Sequence, residues 1–533
     1  MITEDQTAIL EFLNAPSTHG GDGVERIDTH ASVVFLAGDR ALKLKRAVWY
    51  DYLDFSTAER RRTLCEAEVR LNRRTAPTLY RGVIAVTREA DGSLALGGAG
   101  RPADWLVEMN RFPQEALFDR LATAGNLDLT LMPPLAEAVA ALHLSAEHRV
   151  DHGGRAGMAW VLEGNAAGLG EFGRPWLDGA VACRIVEDSK RELERRAALL
   201  ERRRASGFVR QCHGDLHLRN IVLLDGQPTL FDGVEFSDAI SCTDVFYDLS
   251  FLLMDLWRRR LPRHANTVWN YYLTATGDLE GVPLLPLFLS CRAAVRAKTT
   301  ATAAHLQDDV LRRGELHALA REYLAMADRL LHPPPPALVA VGGRSGAGKS
   351  TVAAGLAPFV GAVPGAVVLR SDAIRKRLCG VPLSEPLGAE GYSPSMSERV
   401  YAVLAEQASL TLRAGHGVVV DAVYGRAGDR AAIERVAAAV AAPFIGLWLE
   451  APEAVRIARA GQRRHDPSDA DAAVIRRQEA TDAGDIRWCR IDASPAAGVV
   501  LSRATERVEN ELHAAFSGYH NATRPALAPV RSR

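Results

Sequence analysis

Residues Gly343-Arg344-Ser345-Gly346-Ala347-Gly348-Lys349-Ser350-Thr351 follow directly on an apolar run, Leu338-Val339-Ala340-Val341. The pattern is G-x-x-x-x-G-K-[ST], set between a strand-forming run and the helix-forming Val352-Ala353-Ala354. Glycines let consecutive backbone N–H groups turn inward around phosphate oxygens. The helix that follows aims its positive end at the same anion. Lys349 adds a charge at the β- and γ-phosphates, and Ser350 offers a hydroxyl to Mg²⁺. The stretch from Gly343 to Thr351 is therefore expected to bind ATP with Mg²⁺.

A second constellation lies in His213-Gly214-Asp215-Leu216-His217-Leu218-Arg219-Asn220. An Asp followed five residues later by an Asn suits a phosphotransfer loop, the Asp taking the proton of an acceptor hydroxyl and the Asn holding Mg²⁺. Two short apolar runs around the turn Asp225-Gly226 end in Asp232-Gly233, with Glu235 just beyond. Asp232 leaves that hairpin where a metal-binding carboxylate is needed. Upstream, Val33 to Leu36 and Ala41 to Lys45 read as a hairpin turning at Gly38-Asp39. Lys43 and Lys45, two apart, share one strand face. The charged helical segment Thr57 to Arg74 carries Glu66 and Glu68. His217 and the acidic set Asp244, Asp248 and Asp255, with Tyr247, read as fold-stabilising.

This order of strand lysine, helix glutamate, base/Asn loop and metal Asp resembles the aminoglycoside phosphotransferase and choline-kinase branch of the protein-kinase-like fold, over roughly residues 30 to 330. The resemblance implies Asp215 as catalytic base and Asn220 and Asp232 as metal ligands. Lys43 or Lys45 is implied as the phosphate lysine, paired with Glu66 or Glu68; Lys45 with Glu66 is the pairing favoured. Residues 107–111 match the interlobe hinge. No G-x-G-x-x-G loop is present, since Ala37-Gly38-Asp39-Arg40 is too short, and no A-P-E follows the metal Asp, which favours a small-molecule acceptor over a protein.

Beyond the first loop of the C-terminal part, three more apolar runs lead to polar residues: residues 366–372 ending in Asp372, 416–421 ending in Asp421, and 444–449. A last strand is expected at 486–491. Ligands of parallel sheets sit at the carboxyl ends of strands. Asp372 is thereby placed to meet an acceptor hydroxyl, Arg375 to fix an anionic group, and Asp421 to hold Mg²⁺ in the Walker-B position. Arg456, Arg459 and Arg463 recur on one helical face and are expected to close over triphosphate. The set resembles the small P-loop kinases, such as gluconate kinase, shikimate kinase and zeta-toxin-like proteins. Asp372 is then implied as the base. The order of both parts resembles bacterial aminoglycoside-phosphotransferase/ATP-binding fusions.

The remaining features bound the reading. The 533 residues carry a net charge of −1, with 47% hydrophobic and 24% charged residues, which gives no global basic field for nucleic acid. Seven Cys without a CxxC pair predict free thiols in a reducing compartment. No secretory leader or membrane span is evident, so a cytoplasmic protein is expected. Pro333-Pro334-Pro335-Pro336 suggests a join near 335. The expected architecture is α/β and α+β. A protein-kinase-like bilobal domain over 1–335 precedes a P-loop NTPase parallel-sheet α/β/α domain over 336–515 and a flexible tail over 516–533. The expected function is ATP- and Mg²⁺-dependent phosphotransfer to a small-molecule hydroxyl, of a sugar, an aminoglycoside or similar. Two alternatives stand beside it: one active half with a nucleotide-sensing partner half, or a toxin-like kinase or switch acting on a nucleotide-sugar or macromolecule.

Overall fold

The computed structural model of the protein describes residues 2–516 except 51–52, 173–175, 462–467, 470 and 480–481. The tail expected to fray lies, from residue 517 on, outside the described residues. The chain divides into two compact units, Met1–Glu163 with Leu193–Asp255 and Gly164–Glu192 with Leu256–Arg533. The division does not fall at the proline run.

In the first unit, strands β1 (Glu25–Asp28), β2 (Ser32–Ala37) and β3 (Arg40–Lys45) precede helix α1 (Ala58–Asn72), then β4 (Tyr80–Arg88), β5 (Leu94–Leu96) and β6 (Arg101–Asn110). They form one antiparallel sheet in the order β1-β2-β3-β6-β4-β5. Alternation explains it. Val33, Phe35, Leu42 and Leu44 bury one sheet face, while Leu36, Ala41 and Val107 pack with Cys65 and Val69 of α1 on the other. Thr57 caps α1 by accepting from Arg60 N–H. A helical region follows, including α2 (Met132–Ser145). The hairpin β7 (Ile221–Leu224) and β8 (Gln227–Leu230) then precedes α3 (Val245–Arg258).

The second unit holds helices α4 (Pro262–Thr276), α5 (Leu285–His305) and α6 (Val310–Leu331) together with a parallel sheet. Its elements run β9 (Leu338–Gly343), α7 (Lys349–Leu356), β10 (Val367–Arg370), α8 (Ser371–Leu378), β11 (Val418–Asp421), β12 (Phe444–Glu450), α9 (Glu453–Gly461), α10 (Ala472–Glu479), β13 (Cys489–Asp492) and α11 (Ala497–Phe516). The strand order is β10-β11-β9-β12-β13, all parallel. Val339, Val341, Val419, Leu447 and Leu449 are buried on one face of the sheet and Leu338, Ala340, Val418, Val420 and Trp448 on the other, as near-continuous apolar runs predict. The last strand begins at Cys489, not 486; Ile486 and Trp488 are buried but outside it.

Helix α4 belongs with this sheet through its side chains. Asn270 Nδ2 donates to Ala366 O at 3.1 Å, and its Oδ1 accepts from Val368 N–H at 2.7 Å. Asn266 Nδ2 donates to the same carbonyl at 3.0 Å. Strand β10 is an edge, and two amides thus satisfy backbone groups that no neighbouring strand covers. This packing is the physical reason that a boundary near 335 does not separate the compact units. The expected fold class, α/β and α+β with a parallel sheet in the C-terminal part, is the one observed.

Candidate functional sites

In the first unit, β3 and α1 bring lysines and glutamate together. Lys43 Nζ donates to Glu68 Oε1 at 2.8 Å and also reaches Asp232 Oδ1. Lys45 Nζ takes the other Glu68 oxygen and Glu235 Oε1. Glu68, not Glu66, is the helix glutamate. Glu66 points to solvent and bonds Arg62 Nε at 3.0 Å, because residues two apart on a helix face about 200° away from each other. Both lysines reach Glu68, so the two alternatives left by spacing are both occupied. They differ in exposure: the Lys43 side chain is 14% exposed and faces Asp232, whereas Lys45 is 1% exposed.

Burial opposes the charge of Glu68, yet the two ammonium groups win and hold its carboxyl down at about 2. Burial likewise pushes the Glu235 carboxyl up, against the pull of Lys45. Two cations face the three carboxylates of Glu68, Asp232 and Glu235, which leaves the cluster one negative charge in excess and suited to a further cation.

The Asp215 loop is suspended from α3. Asp248 accepts from Gly214 N–H at 2.8 Å and His213 N–H at 3.2 Å, and His143 Nε2 lies 3.1 Å from its Oδ2. Asp255 accepts from Leu218 N–H at 3.2 Å. The acidic residues read as fold-stabilising thus hold the loop's backbone, while Asp244 is the partner of buried Arg203. Asn220 Nδ2 donates to Asp215 O at 2.9 Å and to its Oδ2 at 3.0 Å. His217 Nε2 is 3.4 Å from the same carboxylate. Phe231 N–H donates to Asn220 O, so Asp232 follows the residue directly opposite Asn220. Asn72, one helical turn after Glu68, accepts from Gly233 N–H at 2.7 Å and ties α1 to the Asp232 turn. An amide oxygen and a carboxylate side by side are hard oxygen donors, the set Mg²⁺ prefers.

In the second unit, a cavity of about 790 Å³ is lined by the loop Arg344–Thr351, Asp372, Arg375, Tyr392, Asp421, Arg426 and Arg459. Gly343 and Gly346 have positive φ, and a Cβ on either would come within 2.5 Å of the Leu449 or Arg456 carbonyl. Gly348 also has positive φ, and open space lies where its Cβ would point. Only glycines allow this cradle. Lys349 Nζ donates to Arg344 O at 3.2 Å across the loop. Ser350 Oγ donates to Asp421 Oδ2 at 2.6 Å, which brings the hydroxyl and the Walker-B carboxylate to one point. The residues present fit Mg²⁺ and a polyphosphate.

Asp372 stands in the first turn of α8, two residues beyond its strand. Burial pushes its carboxyl up, and the charge of Asp421 adds to this. Arg375 donates to Gly391 O at 2.7 Å and stacks over Tyr392 at 5.1 Å. The expected arginine lid is corrected in part. Arg456 is 1% exposed and lies beneath the loop, bonding Ala451 O at 3.0 Å, Ser345 O and Glu479. A buried arginine so engaged cannot close over a ligand. Arg459 lines the cavity but spends its guanidinium on Ala493 O at 2.7 Å and Pro495 O at 2.9 Å. Arg463 lies outside the described residues.

Sequence reasoning missed three participants. Arg370 Nη2 donates to Ser350 Oγ at 3.1 Å, and its Nε is 3.4 Å from Asp421. Gln478 holds Ser345, accepting from its N–H at 2.8 Å and donating to its hydroxyl at 3.0 Å. Asn72 is the third; its signal was the four-residue spacing from Glu68 on a common helix face.

A family model described as "AAA domain" matches residues 338–482. Solved structures similar to parts of the chain include a gluconokinase from Sinorhizobium meliloti 1021, 22% identical, covering 35% of this chain and 98% of that one, with a TM-score of 0.26. They also include aminoglycoside phosphotransferase APH(4)-Ia, 15% identical over 60% of this chain and 99% of that one (TM-score 0.35). The Plasmodium vivax ethanolamine kinase is 10% identical over 61% of this chain and 90% of that one (TM-score 0.38). Among curated proteins, "Uncharacterized protein Rv2004c" of Mycobacterium tuberculosis H37Rv and "Uncharacterized protein Mb2027c" of Mycobacterium bovis are each 32% identical over 468 residues, 86% of this chain and 90% of theirs. With that identity sustained over nearly the full length of both partners, the chain belongs to the family of these mycobacterial proteins.

Proposed function

We propose that the protein is an ATP- and Mg²⁺-dependent phosphotransferase that moves the γ-phosphoryl group of ATP to a hydroxyl of a small polar molecule, with one centre in each unit. The observation that carries this reading is the Lys43–Glu68–Asp232 cluster set beside the Asp215–Asn220 pair. Phosphoryl transfer needs alignment and charge neutralisation more than covalent help.

In the first unit Asp215 orients the acceptor hydroxyl and takes its proton. The hydroxyl oxygen bonds to Pγ, the bond from Pγ to the β-phosphate oxygen breaks, and that electron pair leaves with ADP. Lys43, held by Glu68, orients the phosphates. Asn220 and Asp232 would hold Mg²⁺, which would supply neutralisation of phosphate charge. In the second unit the glycine loop and Lys349 grip the phosphates, and Ser350 and Asp421 would hold the metal. Asp372 takes the acceptor proton; burial raises its carboxyl and makes it a better base than an ordinary aspartate. A cavity of about 790 Å³ has to admit nucleotide and acceptor together, which favours an acceptor of sugar or aminoglycoside size. No helix among the described residues is long and apolar enough to cross a membrane. The reading takes the protein as cytoplasmic, acting on small molecules and not on nucleic acid.

The test is ATP consumption against a panel of polyols, sugars and aminoglycosides, using the full chain with Asp215→Ala and Lys349→Ala made separately. Each substitution is expected to remove a distinct ATP-consuming activity. Loss from one variant only identifies the other unit as a nucleotide sensor. No change from either overturns the reading.

A further inference from the structure

The turn that presents Asp232 has a left-handed backbone, with φ of 61° at Asp232 itself. A residue with a side chain stays in that region only where its surroundings hold it. Here each backbone N–H from Phe231 to Val234 is spent on a partner. Phe231 N–H donates to Asn220 O at 3.0 Å and Val234 N–H to His213 O at 2.8 Å, both in the Asp215 loop. Between them, Asp232 N–H donates to the Tyr80 hydroxyl oxygen at 3.1 Å, and Gly233 N–H to Asn72 Oδ1 at 2.7 Å. Backbone carbonyls thus hold the outer two positions, and two side chains hold the left-handed centre.

Both side chains are themselves fixed. Asn72 is buried one helical turn after Glu68 on α1, and its Nδ2 donates to Glu68 O at 3.0 Å. Tyr80 is buried where β4 begins, opposite Met109 of β6. Its carbonyl accepts from Arg73 Nε at 3.1 Å, which pins the end of α1 to the start of that strand. The helix that sets Glu68 against Lys43 therefore also sets the Asp232 turn. In this left-handed setting the carboxylate of Asp232 meets Lys43 Nζ. Relaxation to an extended backbone reverses the sign of φ and would swing the carboxylate away.

We propose that Tyr80 and Asn72 are positioning residues of the first site, locking the Asp232 turn so that its carboxylate stands in place before a divalent cation arrives. This rests on the kinase reading of the first unit and adds to it two residues and the property they confer. A carboxylate ordered in advance loses little freedom when the cation binds, so the lock is felt as metal affinity. Tyr80 acts through its oxygen alone. Tyr80→Phe keeps the ring and its packing but leaves the Asp232 N–H without its acceptor.

The experiment uses the full chain carrying Lys349→Ala, so that the second site is silenced. Mn²⁺ stands in for Mg²⁺ as a hard, oxygen-seeking cation. Its affinity for the protein saturated with the non-hydrolysable ATP analogue AMPPNP is read from the paramagnetic resonance signal of the free ion, and AMPPNP affinity at saturating Mn²⁺ is read by calorimetry. Tyr80→Phe is expected to weaken Mn²⁺ by about tenfold and AMPPNP by less than about twofold. Asn72→Ala is expected to act in the same direction, and the double variant to lose less than the product of the two, because both hold one turn. Thermal melting checks that the variants are folded; should Tyr80→Phe melt below the assay temperature, Asn72→Ala carries the same criteria. Unchanged Mn²⁺ affinity overturns the inference, and so does an equal loss for Mn²⁺ and AMPPNP, which a general loosening of the fold would give. Asp232→Asn separates the two failures. If Asp232→Asn weakens Mn²⁺ while Tyr80→Phe is silent, the lock fails and the kinase reading stands. If Asp232→Asn is silent too, both fail.

Discussion

Lys45 and Glu235 form an ion pair in the interior of the first unit, with side chains 1% and 5% exposed. Lys43, two residues earlier on the same strand face, stays partly exposed and turns to Asp232. The two lysines therefore divide the work. One faces the phosphate site, and the other braces Glu68 and the segment after Asp232 from behind.

Replacing each lysine should separate the roles. Lys45→Met leaves the buried Glu235 carboxylate without its lysine, while Glu68 keeps Lys43, and is expected to destabilise the first unit by about 3–5 kcal/mol. Lys43→Met is expected to leave the denaturation midpoint nearly unchanged while lowering ATP turnover on the order of a hundredfold. Urea melts beside turnover measurements check both. Equal stability losses would contradict the division.

Arg370 extends from the end of β10 to Ser350 Oγ, next to Asp421. It is placed to meet charge that develops on a transferring phosphoryl group. Arg370→Ala is expected to cut kcat of the second unit on the order of a hundredfold while changing the KM for ATP by only a few-fold. A rise in KM with kcat preserved would assign Arg370 to ground-state binding.

The amides of α4 are expected to stabilise the P-loop sheet. Asn270 serves both Ala366 O and Val368 N–H; Asn270→Leu leaves the Val368 donor unpaired, while Asn266 still bonds the Ala366 carbonyl. The expected cost is about 1–3 kcal/mol, read by thermal denaturation followed through the second unit. For the same reason a chain started at residue 336 should be less stable than the second unit within the whole protein.

His416 gives the second unit an acid sensitivity. Burial lowers its imidazole to about 4, against an ordinary value of 6.5, with its Nε2 2.8 Å from Gly365 O. The folded state resists a proton that the unfolded state accepts. Its contribution is thus fully present above about pH 6.5 and is lost as pH falls through that value toward 4, by up to about 3 kcal/mol. His416→Gln should flatten the stability profile of the second unit across this window. An unchanged slope between pH 6.5 and 4 would contradict the assignment.

The two loops that carry most of the chemistry were legible because their partners lie in one short stretch. Gly343 to Thr351 and His213 to Asn220 each hold their geometry in local backbone, so spacing alone was informative. Glu68 was not separable from Glu66, because both lie on one helix and only tertiary packing says which side meets β3. Arg456 carried a plausible helical spacing, but burial under the phosphate loop is a long-range fact. Strand β1 was too short and polar to announce itself. The place of α4 beside the parallel sheet rests on side-chain amides about a hundred residues from their backbone partners, which no local pattern reveals.

Calorimetry with Mg²⁺ and AMPPNP on the full protein counts the nucleotides that one chain holds. Two are expected, with Lys43→Ala and Lys349→Ala each removing one. A stoichiometry of one or none in the unsubstituted protein would contradict the two-site reading.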